Sequence, residues 1–436
     1  MRPEGRGQAG LARVVGTPGA ILLGLGSIVG TGAFVSIGIA AGVAGASVVL
    51  ATALAALLAA CNGLSSAQLA ADHPVSGGTY EYGYKHLGAT AGFSAGWMFL
   101  SAKFASAATA ALGFAGYVLG AFGRSDASWR VALGLLAVTA ITVLVLGGMS
   151  RSSRANALIV SVTLLALAIF VLVGFPDALE GAATNLRGVL PGVGQGRGLL
   201  EGTALMFVAY TGYGRIATLG EEVREPRRTI PRAIIATLAL SGVLYVSVAL
   251  VAVGSVGAES LAYLTAATAA PLESAAAVFA GPVVSRVIAV GAITAMLSVL
   301  LNLVLGLSRV LLAMARRRDM PALLGRIDER HGSPHAAVAV SGLVIGGLVL
   351  IGDVKTTWSF SAFTVLVYYA ITNLAALRLP PSARRYPRWI AAAGLIGCLG
   401  LAFWVEPRIW LVGLGVLGAG LLWQRLIRRL PFATKA

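Results

Sequence analysis

The chain has 436 residues, of which 57% are hydrophobic and only 11% are charged. Soluble domains carry about 25% charged residues, so this composition excludes an ordinary soluble protein and indicates that most of the chain lies in lipid. The formal net charge of +16 would suit nucleic acid, but the cytoplasmic loops of membrane proteins also collect Lys and Arg. We therefore expect a lipid bilayer as partner and no nucleic acid.

The apolar runs predict twelve membrane-spanning helices, because each holds about 20 mostly apolar residues. In chain order they cover 18–40, 45–70, 88–122, 129–149, 155–175, 199–221, 231–255, 281–315, 336–352, 357–377, 388–405 and 408–427. If the N-terminus is cytoplasmic, the inside segments hold most of the loop Lys and Arg, which predicts that both termini are cytoplasmic. Three cations instead fall within spans, namely Lys103, Arg215 and Arg309.

Glycine interrupts two of these spans. The first contains LGLGSIVGTGAFVSIG (23–38), with five glycines, and the sixth contains AYTGYGR (209–215), with two. The two spans lie five helices apart and enter the membrane from opposite sides. A pair of glycine-interrupted segments at corresponding positions of two halves points to a transporter binding site. The alternative is that these glycines serve only close packing between helices.

Unwound backbone at membrane depth leaves N–H and C=O groups without partners inside the helix, so it persists where it lines a cavity. The N–H groups around Gly30, Thr31 and Gly32 begin the second half of the first span and suit a carboxylate. The carbonyls that end each first half-helix suit an ammonium group or a cation. A free amino acid carries both charges, so the pattern favours an amino acid as ligand.

Four segments resemble one known family, in the family's own order. They are GSIVGTGAF (26–34), SSAQLAADHPVSGGTYEYGYKHLGATAGFSAGW (65–97), FVAYTGYGRIATLGEEVREPRRTIPRAI (207–234) and SRVLLAMARRRDMPALLGRIDERHGSPHAAV (308–338). On these segments the chain resembles the amino acid permeases of the amino acid–polyamine–organocation (APC) superfamily. The resemblance implies secondary active transport of amino acids by alternating access, without a cofactor.

The resemblance also implies an all-α integral membrane fold of the LeuT type, with about twelve transmembrane helices and broken helices 1 and 6. A five-helix repeat would cover 18–175, an inverted five-helix repeat 199–377, and two peripheral helices 388–427. Residues 1–17 and 428–436 would be cytoplasmic tails. The source indicated by the Ala-, Gly- and Arg-rich composition is a GC-rich bacterium, so we expect the bacterial cytoplasmic membrane.

Site residues follow from the resemblance. The substrate carboxylate would bind at Gly30, Thr31 and Gly32, and the substrate amine at the carbonyls of both interruptions. Those carbonyls, together with the aromatic residues that would cover the substrate, belong to Ile28, Val208, Ala209, Thr211, Phe207, Tyr210 and Tyr213.

The chain departs from the family at two charged positions. An acidic residue common after the sixth-helix break is replaced by Gly214 and Arg215, and a fifth-helix lysine found in cationic amino acid transporter-like members is replaced by Thr163. Lys103 either replaces that lysine in coupling or is structural and pairs with backbone carbonyls. Arg215 either binds a substrate carboxylate or pairs with Glu221 or Glu222.

Glu221 and Glu222 themselves are either ordinary surface charges or members of a gate on the inner side. The five surface-placed residues Asp72, His73, His86, His331 and His335 offer no metal set. Coupling to protons or to sodium, exchange and uniport are all open at this point.

The charges inside the spans restrict which classes of amino acid are expected as substrates. With two bases in the interior of spans, Lys103 and Arg215, and no acid in the middle of a span, the sequence disfavours lysine, arginine and polyamines. The small residues of the first and third spans fit neutral amino acids first and acidic ones second. A membrane sensor that binds an amino acid without moving it is the second hypothesis. An intramembrane enzyme would want buried nucleophiles or paired carboxylates, which the spans lack. The chain has no phosphate-binding GxxxxGK[ST] loop, which argues against ATP hydrolysis.

Overall fold

The computed structural model describes residues 15–75, 77–148, 153–192, 194–217, 223–328 and 333–429. These residues form helices and connecting turns, and they contain no β-strand beyond two isolated bridges. The first helices are α1 (Thr17–Ile28), α2 (Ile37–Ala44), α3 (Val48–Asp72), α4 (Thr79–His86), α5 (Ala89–Ala121), α6 (Ala127–Leu146), α7 (Ser153–Asn185), α8 (Gly196–Tyr210) and α9 (Gly214–Ala217). The remaining helices are α10 (Pro226–Val256), α11 (Ala258–Thr268), α12 (Pro271–Phe279), α13 (Gly281–Arg316), α14 (His335–Val349), α15 (Val354–Leu377), α16 (Arg388–Ala402) and α17 (Pro407–Arg429).

In the described part of the chain, eight helical stretches are long and apolar enough to cross a membrane, and α1, α14 and α16 are shorter apolar helices. One of the eight, Gly32–Asp72, has 41 residues. At 1.5 Å per residue such a stretch would measure about 60 Å, about twice the hydrocarbon thickness of a bilayer. Gly45, with φ of 59°, breaks it between α2 and α3. The chain is therefore an all-α integral membrane protein.

The helix α7 is longer than the fifth predicted span. The span was expected to end at 175, where the apolar run ends, but the helix continues through Pro176 to Asn185. The sequence from 176 onward, PDALEGAATN, has few apolar residues yet is rich in good helix formers. The helix α7 therefore extends beyond the end of the apolar run.

The centre of the bundle is built around α5. This helix packs against α13 and α15, while α10 packs against α3 and α7. In the most apolar part of α5, 78% of the residues are buried, compared with 17% for α17. The helix α5 therefore lies in the interior, and α17 lies at the periphery, where its apolar side chains face outward.

One end of the bundle is joined by a buried carboxylate. Asp319 follows α13 and is 1% exposed, and its Oδ2 accepts hydrogen bonds from the hydroxyls of Tyr80 (2.7 Å) and Tyr84 in α4. Arg428 in α17 lies 3.5 Å from Oδ1. The backbone oxygen of the same aspartate accepts a hydrogen bond from the indole of Trp423. Asp319 therefore connects α4, the end of α13 and the peripheral helix α17.

A second buried carboxylate lies in α12, in the connection between α10 and α13. Glu273 is 5% exposed, and its Oε2 finds no hydrogen-bond partner among the described residues. This oxygen packs so closely against Gly120 of α5 that a Cβ at position 120 would lie 2.6 Å from it. Burial raises the pKa of Glu273 to about 8. The sequence placed this acid in a loop, and nothing in its neighbours along the chain indicated that it is buried.

The burial of Glu273 predicts a pH dependence of stability. Burial raises the pKa of Glu273 in the folded state from 4.5 to about 8. The contribution of Glu273 to the free energy of unfolding is therefore fully present below pH 4.5 and is lost as the pH rises through 8. Glu273→Gln keeps the shape of the protonated acid but does not titrate. We expect this variant to reduce the fall in melting temperature between pH 5 and 8 by about 2 °C or more. The measurement is thermal unfolding of the detergent-solubilised chain across this range.

Glu259→Gln is the matched control, since Glu259 is exposed in the first turn of the neighbouring α11. It should unfold with the pH dependence of the unmodified chain. If the Glu273 and Glu259 variants show the same pH dependence, Glu273 is not the group responsible.

Candidate functional site

Both glycine-rich stretches interrupt helices. The helix α1 ends at Ile28, Val29 takes an extended conformation with ψ of 103°, and helical backbone resumes with a π-helical turn at Gly32–Ser36. The helix α8 ends at Tyr210 and passes through a 3-10 turn at Thr211–Tyr213 before α9 begins. The interruption after α1 leaves carbonyl groups at the end of one helix and amide groups at the start of the next without regular partners, whereas the 3-10 turn after α8 keeps short-range hydrogen bonds such as that from the amide of Thr211 to Val208.

The two interruptions cross each other with their backbones in contact. A Cβ at position 32 would lie 2.7 Å from the Cβ of Ala209. A Cβ at position 212 would overlap the carbonyl group of Ser27 and lie 2.6 Å from the amide nitrogen of Ile28. Only glycine fits at these two positions, so the close crossing depends on them directly.

Hydroxyl groups supply partners to the carbonyls at the crossing. The oxygen of Ile28 accepts a hydrogen bond from Tyr245 (2.8 Å), and that of Thr211 accepts one from Tyr369 (3.2 Å). The oxygen of Val208 accepts both the amide and the hydroxyl of Thr211, the latter at 2.8 Å. Three of the four carbonyls that the sequence assigned to an amine therefore have hydrogen-bond donors in this conformation. The fourth residue, Ala209, packs against Gly32.

The amide side of the crossing differs from the carbonyl side. Thr31 is 4% exposed, and its Oγ1 has no hydrogen-bond partner among the described residues. The first backbone hydrogen bonds after the interruption run from Ala33 and Phe34 to the oxygen of Gly30. The hydroxyl of Thr31 and the amides of the first helical turn thus offer donors to an anion at one place.

Two neighbouring cavities meet at the crossing. The smaller, about 50 Å³, is lined by Ile28, Thr31, Gly32, Val208 and Ala209 together with Ser106 and Trp358. The larger, about 270 Å³, extends from it toward Tyr80 and Ala313. Both cavities share the following lining residues: Ser27, Lys103, Thr211, Gly212, Val299 and Leu303.

The three cations predicted within spans all line the larger cavity, and Lys103 lines both. The ammonium of Lys103 donates to Thr211 Oγ1 at 2.9 Å and lies 6.0 Å from the ring centre of Phe99. The guanidinium of Arg215 extends to within 3.9 Å of a Cβ built at Gly306, which is one turn before Arg309 in α13. Among the described residues that line the cavities there is no Asp or Glu, so the fixed charge of their walls is positive.

The aromatic residues proposed from the sequence lie outside both cavities in this conformation. Phe207 and Tyr213 pack against the ring of Tyr369, at 5.6 and 5.5 Å between ring centres. The hydroxyl of Tyr210 donates to the backbone of Thr52 in α3 at 3.1 Å. The aromatic side chains that do line the cavities are Tyr80, Phe99, Trp358 and Tyr368. Sequence reasoning missed all four, because no local pattern distinguishes them from other buried aromatics.

The remaining predicted positions lie elsewhere. Thr163 is buried in α7, where its hydroxyl donates to Ile159 of the same helix at 2.7 Å, and it lines neither cavity. Glu221 and Glu222 lie outside the described residues, and so does any pairing of Arg215 with them. A search of the described part of the chain finds no cluster of His, Cys, Asp and Glu that could hold a metal ion.

Comparison with known proteins shows which family this chain resembles. The family model described as amino acid permease matches residues 19–423. An uncharacterized transporter of Mycobacterium tuberculosis is 40% identical over 410 residues, covering 94% of this chain and 90% of the relative. A branched-chain amino acid permease of Bacillus subtilis is 27% identical and covers 91% and 87% of the two chains. A methylthioribose transporter of the same bacterium is 28% identical, with 85% and 81% covered.

The backbone contact at Gly212 predicts a large effect of one methyl group. Gly212→Ala forces the first and sixth spans apart, and overpacking of this kind costs about 1–3 kcal/mol, so the melting temperature should fall. The matched control is Gly415→Ala in α17, which adds its methyl group to open space at an exposed helical position. The control should be neutral or stabilising by about 0.5–1 kcal/mol. Equal melting temperatures for the two variants would mean that the crossing is not tightly packed.

Proposed function

Because the chain belongs to the amino acid permease family, we propose that it is a secondary active transporter that moves amino acids across the bacterial cytoplasmic membrane by alternating access. The observation that carries the proposal is the crossing of two interrupted helices at a cavity whose walls offer donors for a carboxylate and carbonyls for an amine. A free amino acid carries a carboxylate and an amine a short distance apart.

The arrangement that we propose is a LeuT-type fold. Its two inverted repeats would cover 18–175 and 199–377, with α16 and α17 as the peripheral pair in 388–427. The positions of the two interruptions, one in each proposed repeat, support this arrangement. The low burial of α17 is consistent with a peripheral helix.

The substrate carboxylate would bind at Gly30, Thr31 and Gly32, where the hydroxyl of Thr31 lacks a partner among the described residues. The substrate amine would bind at the carbonyls of Ile28, Val208, Ala209 and Thr211. Because the oxygen of Val208 already has two donors, amine binding there requires the hydroxyl of Thr211 to turn away. Closure of the site would bring Phe207, Tyr210 and Tyr213 toward the substrate from their present positions.

Lys103 is the residue that we propose for coupling, because its ammonium holds the same Thr211 hydroxyl. Movement of that hydroxyl on amine binding would change the surroundings of Lys103, which links substrate occupancy to a charge. Arg215 would act electrostatically, Thr163 would stand at the fifth-helix coupling position, and Glu221 and Glu222 would form the inner gate.

The larger cavity would be the inner vestibule of an inward-facing conformation. It extends toward Tyr80 and α4, the end of the bundle where Arg316 ends α13 and Arg317 and Arg318 follow it. The cytoplasmic assignment of this end, and of both termini, rests on the distribution of Lys and Arg.

Within the amino acids, the small lining residues favour neutral substrates first and acidic ones second, and the three cations disfavour lysine, arginine and polyamines. A sensor that binds an amino acid without moving it is the second candidate function, since the same site would serve it.

The test is uptake of labelled amino acids into proteoliposomes, with and without proton and sodium gradients. We expect uptake above protein-free vesicles, and we expect Thr31→Ala to weaken apparent affinity about ten-fold, the value of one hydrogen bond to a charged group. Thr31→Ser keeps the hydroxyl and should retain affinity. Ser247→Ala is the control, since its hydroxyl is exposed and bonds only within α10.

Binding of an amino acid to the purified chain without uptake would identify a sensor. Neither binding nor uptake of any amino acid would contradict the proposed function. Equal affinity for the Thr31→Ala variant and the unmodified chain would contradict the proposed carboxylate position.

A further inference from the structure

The smaller cavity holds one ionisable side chain among its described lining residues, and it is Lys103. The ammonium of this lysine is held by the uncharged hydroxyl of Thr211, and no carboxylate pairs with it in the described part of the chain. Two acids at the inner end of the bundle are engaged elsewhere, Glu81 with Arg317 and Asp319 with two tyrosines and Arg428. The positive charge in the site therefore lacks a counter-charge from these acids.

A charge held at membrane depth without a counter-charge is expensive, whereas a ligand that supplies the counter-charge recovers part of the desolvation cost. A neutral amino acid cannot supply it. Its carboxylate would be used at Thr31 and Gly32, its ammonium at the carbonyls, and its net charge is zero. An amino acid with a second carboxylate has one acidic group left over after both backbone groups are bound.

The position of Lys103 fits a side-chain carboxylate rather than the backbone one. Thr31 and Gly32 line only the smaller cavity, Arg215 and Arg309 line only the larger, and Lys103 lines both. Lys103 therefore stands at the junction, on the route from the backbone-binding groups into the vestibule. A substrate side chain that extends into the vestibule passes this ammonium first.

We propose that Lys103 is a specificity-determining residue that makes the site prefer dicarboxylic amino acids, such as glutamate and aspartate, over neutral ones. This inference rests on the proposed transport function, and it reverses the order of substrates that the small lining residues alone suggested. Lys103 pairs with the side-chain carboxylate of the bound substrate.

The sharpest test compares acids with their amides, because glutamate and glutamine, or aspartate and asparagine, have nearly the same shape and differ by one charge. Initial rates of uptake by the full chain in proteoliposomes give kcat/KM for each member of a pair. We expect the acid to be preferred at least about ten-fold, the value of one charge-assisted hydrogen bond. Stabilisation of the detergent-solubilised chain against heat by each amino acid gives binding independently of transport.

Variants at Lys103 assign the preference. Lys103→Met should bring the acid-to-amide ratio close to one by lowering uptake of the acid, whereas Lys103→Arg should keep most of the preference. Lys355→Met is the matched control, because Lys355 is an exposed lysine in the first turn of α15 and lines neither cavity. If Lys103→Met does not fold, Lys103→Gln, which can still donate to Thr211, replaces it.

The outcomes separate the inference from the function on which it rests. Uptake of the amides equal to or faster than that of the acids overturns the inference and leaves amino acid transport in place. A preference for acids that persists in the uncharged Lys103 variants overturns the role of Lys103. Neither uptake nor binding of any of the four amino acids, when other amino acids are transported, also overturns the inference. Neither uptake nor binding of any amino acid at all means that the proposed function itself fails.

Discussion

The structure depends on one contact inside a helical membrane protein, the crossing of the unwound segment after α1 with the 3-10 turn after α8. Polar backbone groups at membrane depth need partners, because the hydrocarbon supplies none. Here the two segments approach so closely that Gly32 meets Ala209 and Gly212 meets Ser27 without room for a side chain. Tyrosine hydroxyls then complete the hydrogen bonding of the freed carbonyls from neighbouring helices. The hydroxyl of Thr31 has no such partner among the described residues, and Thr31 lines the smaller cavity.

The hydrogen bonds at the crossing also connect binding to charge. Thr211 donates to the carbonyl of Val208 and accepts from Lys103, so one hydroxyl joins a proposed amine site to the cation at the cavity junction. Both hydrogen bonds run through the same oxygen, so a rotation of the Thr211 side chain changes both at once. This connection is the physical basis on which coupling is assigned to Lys103.

The end of the bundle that contains α4 carries a separate polar network. Tyr80 lines the larger cavity and donates to the buried Asp319, which also holds Tyr84 and lies beside Arg428 of α17. The wall of the larger cavity is thus connected to a helix that lies at the periphery of the bundle. A movement of α4 would break the hydrogen bonds from Tyr80 and Tyr84 to Asp319. Because Asp319 is buried, leaving its carboxylate without donors costs free energy.

The sequence by itself determined the features that depend on a few neighbouring residues. Apolar runs and glycines indicated the long apolar helices and both interruptions, since helix hydrogen bonding and glycine conformation are local properties. The convergence of Lys103, Arg215 and Arg309 on one cavity was decided only by the tertiary structure. The lining by Trp358 and Tyr368 and the burial of Glu273 were decided in the same way. These features depend on which faces of distant helices meet, and that information is spread over hundreds of residues.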